Sequence, residues 1–220
     1  MIQDAVGSKG LGASLSDNLF TELRKDILTG KLKDGDKLSE QQVCDLYGVS
    51  RTPVREAFRQ LELEGFLHTI PNRGAFIVGL TARDLKDLCE MRKAFEIIAV
   101  RWAIERITKE EMERLEEAYE FMEFYTMKED ADKMLNINMR FHELIYEAAK
   151  NRMLSRTLSD YQFYIKQTKT NNSYLNGRLR EVLEEHKQIY QAFLDKDPDA
   201  GEKAIAAHLD NAKKRAGLLP

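Results

Sequence analysis

Three of the chain's four histidines stand where an imidazole is costly unless it has a task. His142 falls in the run Leu135, Asn138, His142, Ile145, Ala149. His186 falls in Val182, His186, Ile189, Phe193, and His208 in Ala204, His208, Ala212. These spacings mark one face of a helix, so each histidine interrupts an apolar stripe and is expected to face a core. One buried imidazole is usually a hydrogen-bonded core residue. Three on three helices carry a desolvation cost that a common ligand would offset. Imidazole nitrogens converging in a dry bundle suit Zn²⁺, Ni²⁺ or a similar first-row ion, with positions left open for water or a small molecule. Asn138, one turn before His142 on the same face, is the candidate fourth ligand. The competing reading is a polar core whose histidines bind only one another and water.

Arg92 sits on a stripe with Leu85, Leu88, Phe95 and Ala99, and a guanidinium facing a core needs an anion. Two partners are open: Glu96 four residues on, or the carboxylate of a small effector. A metal and Arg92 together would make a positive centre suited to a small carboxylate or sugar acid.

A second constellation lies nearer the start. Arg51, Arg55 and Arg59 recur every four residues and fall along one side of a helix that opens Arg51-Thr52-Pro53. Arginine can donate a hydrogen-bonded fork to guanine O6 and N7, while threonine and helix N-terminal amides suit phosphate or a thymine methyl. Asn72-Arg73-Gly74 places a cation and a small residue at a hairpin tip that could meet a minor groove. Taken alone, these are equally solvated arginines beside an ordinary hairpin. Their order along the chain favours DNA.

The elements that must position these residues are legible from punctuation. Leu19, Leu23 and Ile27 give a first helix from about Ser16, and the two glycines of G-K-L-K-D-G-D-K-L break it into a turn and short strand. Ser39 with Gln42 forms a capping box for a short second helix containing Val43, Leu46 and Tyr47, and Gly48 stops it. Ser50 or Thr52 caps a third helix, with Pro53 in its first turn and Val54, Ala57, Phe58 and Leu61 on its buried side. F-L-H-T-I and A-F-I-V around P-N-R-G then read as a hairpin. Helix, helix, tight turn, helix and hairpin make a winged helix-turn-helix over 15–78. Gly79 to Thr81 form a hinge.

Helical sequence follows, at about 82–106, 109–127, 131–150, 153–170, 178–195 and 199–216. Thr108 with Glu111 is a capping box, Asn151 a C-terminal cap and Asp197-Pro198 a helix start. The expected fold is mainly α: the winged unit plus an antiparallel helical bundle over 82–217 for effector binding and dimerisation.

The segment L-S-E-Q-Q-V-C-D-L-Y-G-V-S-R-T-P-V-R-E-A-F-R-Q-L-E-L-E-G-F-L resembles the signature of the GntR family of bacterial transcription regulators. The resemblance covers roughly residues 16–78. It implies DNA contact at Arg51, Thr52, Arg55 and the wing residue Gly74, in a first turn shared with Pro53 and beside Arg73. Gln41 stands where the family often has arginine, so one cationic contact is missing or replaced. Residues 82–216 resemble the FCD effector domain of the FadR subfamily. E-M-R-K-A-F-E looks like its first helix, and F-H followed by A-A-K-N-R-M-L looks like a later one. Many members hold a metal through Asp-x-x-x-His and two later histidines. His142, His186 and His208 match that pattern, and Asn138 replaces the aspartate with a neutral, weaker ligand. The resemblance further implies a homodimer on operator DNA, most often a repressor, whose effector changes the arrangement of the two winged units.

Composition bounds these readings without deciding them. The net charge is −3, and residues 17–80 carry nine Lys/Arg against ten Asp/Glu, so DNA binding would rest on a narrow stripe. Cys44 and Cys89 have no framework spacing and suit reduced thiols in a cytoplasm. No apolar run reaches the roughly 20 residues that span a bilayer. Residues 1–14 lack the pattern of a signal peptide and read as a flexible arm. A metal-dependent enzyme is the rival class, since three histidines with an open position can activate water. The stripes offer no additional inward general base, Glu185 lies about 100° from His186 on an ideal helix, and there is no H-E-x-x-H.

Overall fold

The computed structural model describes residues 14–71, 73–167 and 177–217. The arm up to residue 13, Asn72 of the wing tip and the expected helical residues 168–170 lie outside them. The chain divides into two compact units, with the boundary between Leu80 and Thr81.

The first unit begins with α1 (Leu15–Leu28), whose cap is Ser14: its hydroxyl accepts from Asp17 N while the Asp17 carboxylate accepts from Ser14 N. Ser14, expected to lie outside the helix, is thus the cap of α1. Leu19, Leu23 and Ile27 are buried and turn α1 onto α3 (Arg51–Leu63), which returns Val54, Ala57, Phe58 and Leu61. Between them, β1 (Lys37–Leu38) leads into α2 (Glu40–Tyr47). The Ser39–Gln42 box starts α2, and Gly48 ends it at φ 65°, in the left-handed region where glycine carries no Cβ penalty. Ser50 holds the N-cap position of α3 but makes no side-chain capping bond. The wing is a three-stranded antiparallel sheet in the order β1-β3-β2, formed with β2 (Leu67–Ile70) and β3 (Gly74–Ile77). Leu38 pairs with Ala75, so the strand before the helix-turn-helix anchors the hairpin after it.

The second unit is helical throughout its described residues: α4 (Ala82–Arg106), α5 (Lys109–Met127), α6 (Ala131–Ala148), α7 (Arg152–Gln167), α8 (Leu179–Leu194) and α9 (Pro198–Arg215). Capping boxes at Thr81–Asp84 and Thr108–Glu111 start α4 and α5, and Asp197 caps α9 with Pro198 in its first turn. Helix α4 packs on α9, α6 and α7, while α5 packs on α6 and α8. At Gly201 a Cβ would lie 2.5 Å from Ile104 Cδ1, so α4 and α9 approach as closely as a glycine permits. Asn151 corrects one expectation. It does not close α6; Lys150, at φ 55°, makes the left-handed turn. The Asn151 carboxamide oxygen instead accepts from Leu154 N at 3.0 Å, at the start of α7. The acceptor serves the orphan amides of the following helix rather than the carbonyls of the preceding one.

Candidate functional site

The three histidines meet. His142 on α6, His186 on α8 and His208 on α9 are all buried, and each offers a ligand atom within 4.8 Å of the others. What orients the rings is the second nitrogen of each. His142 Nδ1 lies 2.8 Å from Glu96 Oε2, His208 Nδ1 lies 2.9 Å from Glu185 Oε2, and His186 Nδ1 lies 2.7 Å from the Val182 carbonyl oxygen. A carboxylate or carbonyl only accepts, which assigns the proton to Nδ1 in all three rings and directs Nε2 inward. His142 Nε2 and His186 Nε2 face one another at 3.3 Å.

The electrostatics keep this arrangement. Burial, reinforced by His208 and His142, pushes His186 well below the ordinary imidazole range. Burial likewise brings His208 down to about 4, against the opposing pull of Glu185. For Glu96 burial works toward the neutral acid, but Arg92 and His142 outweigh it and hold the carboxyl below its usual range. At Glu185 burial is outweighed in the same way, and Arg215 with His208 hold the carboxyl at about 2. Tyr146 donates its hydroxyl to Glu96 Oε1 at 2.6 Å, and burial followed by the Glu96 charge raises its phenol well above the ordinary value.

This donor set fits a divalent first-row ion. Two neutral rings with Nδ1 protonated would point lone pairs at each other across 3.3 Å. A tetrahedral centre with Zn–N bonds of about 2.0–2.1 Å needs its nitrogens about 3.3–3.4 Å apart. Asn138 is buried on α6, one turn before His142. The carboxylates behind His142 and His208 are the outer groups that such sites use to fix the tautomer and raise ligand basicity.

Arg92 resolves one open partner. Its Nε donates to Glu96 Oε1 at 2.6 Å, with the two side chains 12% and 1% exposed. The i,i+4 pair is therefore present, and it holds the carboxylate that holds His142. Two carboxylates of the site go beyond the sequence reading, which weighed Glu96 only as a partner for Arg92 and set Glu185 aside. Glu96 is an additional inward carboxylate, contrary to expectation. Glu185, whose direction on α8 counts against it, reaches His208 on α9 and also accepts from Asn211 and Arg215. The Arg92–Glu96 spacing is the one available signal for the first. The second has none within its own helix.

In the winged unit Arg51, Thr52 and Arg55 are at the start of α3, with Arg51, Thr52 and Arg55 exposed and Pro53 half-buried between them. Arg73 and Gly74 are exposed at the wing. Gly74 has φ 104°, and a Cβ there would come 2.9 Å from Lys37 Cε. The positive φ is what favours glycine there, since the flexible end of the Lys37 side chain can move aside. Each α3 arginine has a partner. Arg51 Nη2 donates to Gln41 Oε1 at 3.2 Å, Arg55 Nε to Glu40 at 2.9 and 3.0 Å, and Arg59 to Glu56 through Nε and Nη2.

Comparison with known proteins gives a match for each of the two units. Residues 15–77 match the family model described as bacterial regulatory proteins, gntR family, and residues 87–211 match that of the FCD domain. An uncharacterized HTH-type transcriptional regulator of Bacillus subtilis (strain 168), YdhC, is 31% identical over 194 residues, spanning 87% of this chain and 86% of its own. The HTH-type transcriptional repressor RspR of Escherichia coli (strain K12) is 25% identical over 195 residues, 89% of this chain and 86% of its own. Among solved structures, that of E. coli McbR/YncC superposes with a TM-score of 0.69 at 25% identity, covering 94% of this chain and 97% of that one.

Proposed function

The chain belongs to the GntR family of bacterial regulatory proteins and carries an FCD domain, and from that premise we propose that it is a metal-loaded, effector-controlled repressor acting as a homodimer on operator DNA. It is a DNA-binding transcription regulator, and its family and relatives are regulators rather than enzymes. The repressor assignment draws on the relative named as one. Among the described residues no helix is long and apolar enough to cross a membrane. The cytoplasm is the compartment that a DNA-binding role favours.

The observation that carries the metal reading is the shared orientation of three Nε2 atoms, each held by an acceptor on its own Nδ1. His142, His186 and His208, with Asn138 as a weak fourth donor, would hold Zn²⁺ or Ni²⁺. An ion held there would supply a Lewis-acid docking point. All four protein donors are neutral, and the charges of Glu96 and Glu185 are answered by Arg92 and Arg215. The double charge of the ion is then left for the effector, which favours a small carboxylate or sugar acid. Arg92 belongs to the effector site as the cation behind Glu96. Effector binding that favours one arrangement of the winged units across residues 79–81 would change operator affinity. Arg51, Thr52, Pro53 and Arg55, with Arg73 and Gly74 of the wing, form the DNA-reading surface.

Elemental analysis of protein purified without a histidine tag, followed by thermal melts, tests this. We expect bound Zn²⁺ or Ni²⁺, a lower melting temperature with chelator, recovery with added Zn²⁺, and a further rise with citrate or gluconate only in the metal-loaded protein. Asn138→Asp should tighten metal binding, and His208→Ala should weaken it strongly. A protein without metal, whose melt ignores both chelator and Zn²⁺, would return the histidines to a polar core.

A further inference from the structure

The three arginines of α3 are not equivalent, and what separates them is the nitrogen each has already committed. Arg55 gives only Nε to Glu40, which accepts on both oxygens at 2.9 and 3.0 Å. Among the described residues neither Nη of Arg55 has a hydrogen-bond partner. Arg59 commits Nε and Nη2 together to Glu56, one turn back on its own helix. Arg51 commits a single Nη2 to Gln41, whose own amide is held by Asp45 at 2.8 Å.

Glu40 is placed to do this by local sequence. The Ser39–Gln42 capping box fixes the first turn of α2, and Glu40 is its first residue. The left-handed turn at Gly48 brings α3 back so that Arg55, one turn into that helix, comes within reach. Both side chains remain accessible, at 65% for Arg55 and 35% for Glu40. An exposed pair of this kind adds little stability. What it does is remove rotamer freedom from a long side chain, with the guanidinium gripped at its inner nitrogen and the two outer ones presented as a fork. Guanine O6 and N7 accept such a fork in the major groove, and a bidentate arginine–guanine contact is the commonest specific one.

We infer that Glu40 is a positioning residue for DNA reading: it holds Arg55 by Nε so that the two Nη groups read one guanine in each half-site, whereas Arg59, its fork edge already occupied, contributes charge to the backbone. The bland account of Glu40 is an acidic residue at a helix N-terminus, favoured there by the helix dipole. The two accounts differ in what happens to base discrimination.

The test uses the full-length protein and a duplex selected by it from a randomised pool. Each G·C pair of that duplex is then replaced in turn, and binding is measured for wild type, Glu40→Gln, Arg55→Lys and the double variant. Glu40→Gln keeps size and hydrogen-bonding capacity but loses the charge that grips Nε. It should leave the melting temperature within a few degrees, bind scrambled DNA more tightly through loss of one negative charge, and lose about 10-fold discrimination at a single G·C pair per half-site. Arg55→Lys cannot present a fork and should lose discrimination at that same pair. The double variant should lose no more than Arg55→Lys alone, because the two residues act through one contact. Three results would overturn the inference. Unchanged discrimination in Glu40→Gln with uniform tightening makes Glu40 a mere counter-charge. Loss at a different base pair makes Glu40 itself a reader, accepting from a cytosine amino group. Additive losses in the double variant show that the two side chains act separately.

Discussion

Helix α3 of the winged unit and the histidine cluster of the helical unit handle charged side chains in opposite ways. In the winged unit Arg55–Glu40 and Arg59–Glu56 are exposed pairs, 65%/35% and 61%/41% accessible. In the helical unit Arg92–Glu96 and Arg215–Glu185 are buried, at 12%/1% and 4%/15%, and each carboxylate also accepts from a histidine. An exposed pair can exchange its partner for a phosphate or a base edge, because water screens what is given up. A buried pair cannot, because the abandoned charge has no water to turn to. The first arrangement suits a surface that must bind and release a polyanion. The second suits a frame that must hold three rings in one orientation.

The sharpest way to break this comparison is to remove one buried charge. Glu96→Gln leaves Arg92 without its anion and His142 without a charged acceptor for Nδ1. We expect a loss of about 3–5 kcal/mol in urea unfolding of the helical unit, the range for stranding one member of a buried pair. The double variant Glu96→Gln/Arg92→Met should recover part of that loss, since no charge is then stranded. A cost below about 1 kcal/mol for the single change would mean that the buried pairs behave like the exposed ones.

Arg92→Met alone tests the same frame from the other side and should cost somewhat less, because Glu96 keeps Tyr146 and His142 as donors. It should also abolish the response to a carboxylate effector while leaving DNA binding by the effector-free protein near that of wild type. Calorimetric titration of the metal-loaded variant with citrate or gluconate separates these effects. Unchanged effector affinity with lowered stability would leave Arg92 as a strut for Glu96 alone.

The same contrast explains what can be read from the sequence. Helix limits, caps and the inward direction of His142, His186 and His208 follow from periodicity and from local hydrogen bonding, which a single segment carries within itself. The Ser39–Gln42 and Thr108–Glu111 boxes are visible for that reason. Arg92–Glu96 is half legible, because i,i+4 spacing names the partner but not its burial. Glu185 is not legible. Its angle on α8 points away from His186, and only the packing of α9 against α8 brings His208 to it. Asn151 misleads for a different reason, since a single polar side chain between two helices can serve either end. The partners of Arg55 and Arg51 are hidden likewise, because α2 and α3 meet across a turn whose geometry the spacing does not state.

On the exposed side, Arg51→Ala and Arg55→Ala should each cost specific DNA binding about 1–3 kcal/mol if they read base edges. The fold should survive, because both side chains lie off the buried face formed by Val54, Ala57, Phe58 and Leu61. Gel-shift titrations against the selected duplex and a scrambled one check this. Equal weakening on both would demote the pair to phosphate binders.

Arg59→Ala should have the smallest effect and is for that reason the finest test of the comparison. Its side chain is 61% accessible and already engages Glu56 through two nitrogens, at 2.6 Å for the shortest contact. Deleting it removes only an exposed pair, so stability should barely change. On DNA the loss is one positive charge per winged unit, compounded by the freed negative charge of Glu56. Binding should then weaken by a similar factor on the selected and scrambled duplexes, and the slope of log affinity against log salt should become shallower by about one for each phosphate no longer neutralised. The measurement is a salt titration of both duplexes with wild type and variant, in parallel. A loss confined to the selected duplex would make Arg59 a base reader despite its engaged fork. The rule that free nitrogens mark the readers would then fail at the arginine where it is simplest to apply.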